Sequence, residues 1–326
     1  MKEVILNYLK DNENKFISGE EISSRLNITR ASVWKYINSL KNDGYQIESV
    51  SRKGYKLTGS PDILTYEEIQ AYLKTSRIGR KIIYKKSIDS TNSECRRIAD
   101  AESEGTAVVG EEQLKGRGRL GRTWTSPLYK GIFMSIILKP DIDMEEAPKI
   151  TSIGAAAVFL ALKDIGIECQ VKWPNDVVIN GKKVCGILTE MSGEINRINY
   201  IVIGIGINVN LNADDIPEDL KDKATSLLIE KGKNIDRRIL LSGLLNHFEN
   251  LYDEFLKGDY SRTVSICRDN SSLVGKEVRI IKNGKEAVGK AIDIGKDGAL
   301  IIEYKNGEKD KIISGEVSVR GIGSYS

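Results

Sequence analysis

The stretch Val177-Val178-Ile179-Asn180-Gly181-Lys182-Lys183-Val184-Cys185-Gly186-Ile187-Leu188-Thr189-Glu190 places two aliphatic runs on either side of Asn-Gly. A type I′ turn needs positive φ at both central residues, and Asn and Gly tolerate it best, so the pair predicts a tight hairpin. At least part of the sheet must then be antiparallel. Outward from this point, strand-like runs at 81–85, 107–111, 132–138, 170–172 and 198–209 alternate with helical spacing over 92–102, 148–163 and 237–257. The expected class is α+β, with a mixed central sheet and not a doubly wound parallel one.

A chain of 326 residues is too long for one ordinary core. Its signals divide it into 1–60, 61–272 and 273–326. With 40% hydrophobic and 29% charged residues it is neither disordered nor fibrous. No apolar run has the length of a membrane span, and Met1-Lys2-Glu3-Val4-Ile5-Leu6-Asn7 turns polar too early for a secretory signal. Cys95, Cys169, Cys185 and Cys267 are scattered, which predicts neither a disulfide framework nor a zinc ribbon. The single histidine, His247, excludes His-rich metal sites and leaves little room for a Ser-His or Cys-His couple. The expectation is a cytoplasmic, reduced protein with no permanently bound cofactor.

The net charge of +3 is unevenly placed. Residues 1–60 hold ten Lys/Arg and seven Asp/Glu, while the remainder holds 39 of each and is neutral. In the basic segment Val4, Ile5, Tyr8 and Leu9 recur at helical spacing. Ser18-Gly19-Glu20-Glu21 reads as a capping box opening a second helix. Thr29 caps a third, with Val33, Ile37 and Leu40 as its buried stripe. On that helix Lys35 and Asn38 point away from the stripe, and Arg30 and Ser32 lie in the first turn. Strands at 45–47 and 55–57 then flank a tip carrying Arg52 and Lys53. Helix, helix-turn-helix and basic hairpin follow the order of a winged helix-turn-helix, whose third helix enters the major groove while the wing touches phosphate. A small three-helix protein-interaction module is the other reading.

Three central motifs carry chemistry. Gly116-Arg117-Gly118-Arg119-Leu120-Gly121 matches G-x-G-x-x-G in form, but Pro127 follows where a dinucleotide fold would open a helix. What remains is a flexible backbone bearing Arg117, Arg119 and Arg122, suited to a phosphate or carboxylate; an extended course would put Arg117 and Arg119 on one side. An exposed basic loop or an RNA-binding Arg/Gly patch is the alternative. Lys172-Trp173-Pro174-Asn175-Asp176 sets a cation and a carboxylate at the ends of five residues, suited to phosphate with magnesium, or to an ordinary turn with a surface ion pair. In Ile203-Gly204-Ile205-Gly206-Ile207-Asn208, alternation gives the isoleucines to a core and leaves Gly204, Gly206 and Asn208 in a row opposite. Glycine inside a β-branched strand marks a close approach, by a ligand or by a neighbouring element.

These motifs in this order, with Asp89-Ser90-Thr91-Asn92 upstream, resemble the bifunctional biotin protein ligase and biotin operon repressor family over essentially the whole chain. The resemblance implies a winged helix-turn-helix, a catalytic domain of the biotin/lipoate ligase type and a C-terminal SH3-like β-barrel. It implies biotin contacts at Ser90, Thr91, Asn92 and Gln113, and a loop of Arg117, Gly118 and Arg119 folding over biotin and its adenylate. Lys172 matches a lysine touching the biotin carboxylate and the α-phosphate, so Lys172 and Arg119 are the catalytic candidates. Arg122, Asn175, Asp176 and Asn208 fall on the nucleotide side, with Asp176 a candidate magnesium ligand. Arg30, Ser32, Lys35, Asn38, Arg52 and Lys53 are the DNA-binding candidates.

The implied chemistry consumes biotin and ATP with Mg2+, passes through biotinyl-5′-AMP, and transfers biotin to a lysine of the biotin carboxyl carrier protein of acetyl-CoA carboxylase. The implied partners also include a homodimer and palindromic operator DNA. Two other readings stay open: a biotin-sensing repressor without catalysis, and a lipoate or octanoate ligase on the same scaffold.

For the end of the chain, Asn283-Gly284, Asp297-Gly298 and Asn306-Gly307 separate runs at 278–281, 287–294, 300–304 and 311–313, which predicts a small antiparallel barrel.

Overall fold

A computed structural model of the chain describes residues 1–13, 15–194, 197–282, 285–313 and 317–321. It divides into two compact units, Met1–Ile63 and Leu64–Ser326.

The first unit contains α1 (Lys2–Asp11), α2 (Gly19–Leu26), α3 (Arg30–Asn42) and an antiparallel pair, β1 (Gln46–Val50) and β2 (Gly54–Gly59). Ser18 Oγ accepts from Glu21 N (3.0 Å), and Thr29 Oγ1 accepts from Ser32 N (3.1 Å), so both helices start on hydroxyl caps. The Glu21 carboxylate accepts the Tyr8 hydroxyl at 2.6 Å, which ties α1 to α2 where the sequence had suggested the second half of a capping box. Ile5, Leu6 and Leu9 are the buried face of α1, and Val4 is left exposed. They close one core with Ile22, Val33, Ile37, Leu40, Ile47 and Leu57.

The second unit opens with α4 (Tyr66–Ile69), β3 (Ile82–Lys85), α5 (Thr91–Ile98), β4 (Ala107–Gly110), β5 (Gly131–Leu138) and α6 (Lys149–Asp164). β6 (Gln170–Lys172), β7 (Asp176–Ile179), β8 (Lys182–Glu194) and β9 (Arg197–Asn208) complete a seven-stranded sheet, ordered β3-β4-β5-β9-β8-β7-β6. Among the described residues of this sheet, only the β3–β4 pair is parallel. The β7–β8 turn has Asn180 at φ 50° and Gly181 at φ 76°, the positive pair a type I′ hairpin requires. On β9, Ile201, Ile203, Ile205 and Ile207 enter the core, as alternation demands.

The helices α7 (Leu227–Lys231), α8 (Arg237–Leu256) and α9 (Ser261–Asp269) follow. Among the described residues five strands come next: β10 (Glu277–Lys282), β11 (Lys285–Ile294), β12 (Leu300–Glu303), β13 (Lys309–Ile312) and β14 (Val317–Gly321). They form an antiparallel sheet in the order β13-β12-β11-β10-β14. Asn283-Gly284, expected as one of its turns, lies outside the described residues. Val278, Ile280, Leu300 and Ile302 join the same core as the central sheet. The Trp173 indole donates to the Gly298 carbonyl at 3.0 Å, so the C-terminal sheet abuts the Lys172–Asp176 turn.

One buried carboxylate pins the chain's entry into β3. Glu249 on α8 accepts the backbone N–H groups of Ser76, Arg77 and Ile78 at 2.5, 2.9 and 2.7 Å. Burial raises its pKa, but the donors of Ile78, Ser76 and Arg77 together outweigh that and hold the carboxyl below the usual glutamate range. A depressed folded pKa gives stability that is present above the unfolded value and lost as pH falls through the folded one. Glu249→Gln should therefore cost on the order of 2 kcal/mol at pH 7. Urea melts of both proteins at pH 7 and in the acid range check this: the gap should narrow below about pH 4.5. A gap that does not change with pH would sink the assignment.

Candidate functional site

The site lies on one face of β5, β9 and β8. Register sets Gly204 between Ser135 and Leu188, and Gly206 between Phe133 and Gly186. The paired glycines leave a trough, because no Cβ rises from three of its positions. A Cβ on Gly204 would overlap the side-chain oxygen of Asn92, and one on Gly206 would sit 2.6 Å from the Trp124 indole nitrogen. The close approach read from the glycine row is thus made by side chains of this chain that themselves line a cavity.

α5 supplies the polar rim. Ser90 Oγ caps that helix by accepting from Ser93 N. Thr91 N donates to Gln113 Oε1 at 2.9 Å, and Gln113 Nε2 passes the bond on to Ser126 Oγ at 3.0 Å. Asn92 Oδ1 accepts the buried Ser135 hydroxyl at 2.6 Å. Ser90, Thr91 and Asn92 are each no more than 5% exposed. Fixed neutral donors and acceptors of this kind suit an uncharged, hydrogen-bonding head group. With Gln113, Arg117, Gly118 and Arg119 they line a narrow chamber of about 40 Å3.

A second cavity, of about 770 Å3, adjoins it. Arg122, Lys172, Asp176 and Asn208 line this one only, while Gly118, Arg119, Trp124, Asn175 and Lys183 line both. The junction therefore carries two cations. Arg119 Nη1 donates to Asn175 Oδ1 at 3.0 Å; burial lowers its pKa most, Asp176 works against this and Arg122 adds to it. Lys183 Nζ lies 2.6 Å from Asp176 Oδ1 and 5.2 Å from the centre of a Trp124 ring. Lys172 and Asp176 are cross-strand partners closing a three-residue turn, which is why they flank it so closely. Two anions meeting at this junction would each find positive charge.

Arg117 and Arg119 do not project to one side. Gly118 N donates to Arg122 O (2.7 Å), Trp124 N donates to Gly116 O (2.9 Å), and Leu120 takes φ 57°. The segment is a small hairpin instead of a flat strand, so Arg117 turns toward Ser93 and Glu190 while Arg119 turns toward Asn175.

All the site residues read from the middle of the sequence thus gather at these two cavities, and the six DNA-binding candidates lie in the first unit. Arg30, Lys35, Arg52 and Lys53 are exposed, and Ser32 and Asn38 partly so. Arg30 lies 3.8 Å from Glu20, and the Ser32 hydroxyl is 2.9 Å from that of Thr29. Trp34 on α3, 62% exposed, was not foreseen as part of that surface. Lys183, Trp124 and the segment 211–224 were missed in the second unit. One signal for Lys183 was available: Gly186 interrupts β8 as Gly204 and Gly206 interrupt β9, which marks the same face of the neighbouring strand. The thiols contribute nothing here, since burial pushes Cys95, Cys169 and Cys267 up to about 12.

Residues 84–208 match the biotin/lipoate A/B protein ligase family, residues 2–56 an HTH domain, and residues 273–320 the biotin protein ligase C terminal domain. The bifunctional ligase/repressor BirA of Bacillus spizizenii is 40% identical over 94% of each chain. The chain belongs to the bifunctional ligase/repressor BirA family. The BirA of Escherichia coli is 30% identical, again over 94% of each chain. A biotin protein ligase from Aquifex aeolicus, solved in complex with biotin and ATP, aligns with TM-score 0.66 and 33% identity, covering 74% of this chain and 99% of that one.

In this BirA-family chain the glycine trough has a direct test. Gly204→Ala forces Asn92 from the position that Ser135 holds, so the affinity for a small head group in the narrow chamber should fall about a hundredfold. Titration calorimetry with biotin checks this, and affinity within twofold of wild type would refute it.

Proposed function

We infer that this chain is an ATP-dependent biotin protein ligase that also represses transcription. The observation that carries the reading is the junction: a narrow chamber with a rim of neutral polar groups adjoins a larger cavity where Arg119 and Lys183 stand. Biotin's ring system suits the chamber of Ser90, Thr91, Asn92 and Gln113, and its carboxylate would reach the junction. ATP suits the larger cavity with Arg122, Lys172, Asn175 and Asn208. A carboxylate oxygen attacks the α-phosphorus and pyrophosphate leaves, giving biotinyl-5′-AMP. An acceptor lysine amine then attacks the biotinyl carbonyl, releasing AMP. Neither step needs an enzyme nucleophile; the chain's share is to align two anions that repel each other and to meet their charge with fixed cations.

Among the described residues no three His, Cys, Asp or Glu side chains converge as a metal site, and Asp176 is paired with Lys183. A single carboxylate beside the larger cavity is enough for a magnesium ion carried on the phosphates of ATP, and Asp176 would be its protein ligand. Bound there it would neutralise phosphate charge.

The carrier protein of acetyl-CoA carboxylase is the proposed acceptor. A homodimer carrying the adenylate is the proposed form that binds a palindromic operator, through the first unit. The three-part division at 60 and 272, and a cytoplasmic location, belong to the same proposal; among the described residues no helix is long and apolar enough to cross a membrane. Purified protein mixed with biotin and MgATP, without acceptor, should retain biotinyl-5′-AMP by mass spectrometry. Biotin bound but not adenylated would favour a pure sensor, and no biotin binding would redirect the test to lipoate and octanoate.

A further inference from the structure

Glu190 has no part in the chemistry above, yet both α5 and the Gly-Arg hairpin converge on it. Alternation along β8 brings Gly186, Leu188 and Glu190 to the face of the glycine trough, while Cys185 and Ile187 enter the core. At the trough's edge, Glu190 Oε2 accepts Asn92 Nδ2 at 2.8 Å. Its Oε1 lies 3.4 Å from Arg96 on α5 and 3.5 Å from Arg117 on the Gly-Arg hairpin. Arg117 also donates to Ser93 Oγ at 3.2 Å. That hairpin is held together by its own backbone bonds, at Gly116–Trp124 and Gly118–Arg122. Besides Trp124, which packs over Gly206 beside Lys183, arginine side chains tie it to the body: Arg119 to Asn175 on one side, Arg117 to Glu190 and Ser93 on the other.

We propose that Glu190 is a positioning residue, a latch that holds the Gly-Arg hairpin shut over the narrow chamber through Arg117 while fixing the amide of Asn92 beneath it. The same carboxylate thus joins the lid to the floor, so closing the lid and orienting the floor become one event. Glu190 lines neither cavity and in this scheme touches no reacting atom; it sets how long the small ligand stays. The part concerning the ligand rests on the ligase reading, whereas the hairpin's attachment does not.

Glu190→Gln is the informative change, because glutamine can still accept from Asn92 but offers the arginines no charge. The hairpin carries Arg117, Arg119 and Arg122, each a tryptic site, so limited trypsin digestion of the full chain reads its opening directly. Cleavage at these three arginines should be about fivefold faster in Glu190→Gln, the scale of a half-exposed ion pair, with cleavage elsewhere and the melting temperature unchanged. Release of retained biotinyl-5′-AMP and the KM for biotin should rise by about the same factor, with kcat at saturating biotin held. Added salt should bring the wild-type release rate toward that of the variant, because a partly exposed pair is screened. Glu190→Asp, which keeps the charge, should recover part of the difference.

Trypsin and release rates equal to wild type would overturn the proposal. So would faster cleavage throughout the chain with a lowered melting temperature, which would make Glu190 an ordinary stabilising residue. If wild-type protein forms no adenylate, the ligase reading fails, and the cleavage pattern still decides whether Glu190 latches the hairpin.

Discussion

Lys183→Ala should slow the formation of biotinyl-5′-AMP by about two to three orders of magnitude at saturating biotin and ATP. Lys183 is the lysine that lines both cavities, so its ammonium can reach the carboxylate and the α-phosphate as charge shifts between them. Lys172 lines the larger cavity and not the narrow one. Lys172→Ala should therefore also slow adenylation but leave the KM for biotin unchanged, and this difference separates the two lysines. Rapid-quench assays on both variants supply the numbers. Removing Lys183 also deprives Asp176, only 8% exposed, of an ion-pair partner, so lost activity must be told apart from lost fold. Thermal melts do this, and Lys183→Ala with Asp176→Asn removes both charges if the single variant melts early. A folded Lys183→Ala protein adenylating near the wild-type rate would end the assignment.

The contrast between the two lysines shows where sequence reasoning reaches and where it stops. Local rules succeed where a backbone constraint is written in adjacent residues. Asn180-Gly181 takes the positive φ pair its hairpin needs, and Ser18 and Thr29 cap the helices they precede. The glycine row of β9 likewise located the trough, because a missing Cβ inside a β-branched strand is a one-dimensional mark of a three-dimensional approach. Lys183 was legible only through Gly186 on its own strand, and Trp124 and Glu190 were not legible in this way. Those two reach the site from separate points along the chain, and nothing adjacent to either records what register brings opposite. The Gly-Arg hairpin makes the same point in reverse. Period-two spacing would set Arg117 and Arg119 on one side, but a left-handed Leu120 and the Gly118–Arg122 bond divide them between two anchors. α9 was missed as well, for its apolar residues are few and its stability comes from packing on α6.

On the first unit, replacing Arg52 and Lys53 together by alanine should weaken operator binding by about ten- to a hundredfold at physiological salt. Both side chains are exposed at the tip between β1 and β2, where Arg52 holds φ 66° and the turn presents the pair outward. The proposed role of the wing is contact with phosphate, which carries no sequence information, so the loss should be nearly the same on operator and on unrelated DNA. The slope of log affinity against log salt should become shallower by about two per protomer, close to four for a dimer on both half-sites. Substitutions on α3 should behave differently. Lys35→Ala and Trp34→Ala change the face expected to meet base edges, so they should reduce the preference for operator over random sequence more than they reduce affinity itself. Fluorescence anisotropy with an operator duplex, a half-site and a scrambled duplex, with and without the adenylate, measures all of these. If the Arg52/Lys53 variant kept the wild-type salt slope, the wing would not be on the phosphates. If wild type bound half-site and full site equally with the adenylate present, the repressing species would be a monomer, and the proposed dimer would fall with it.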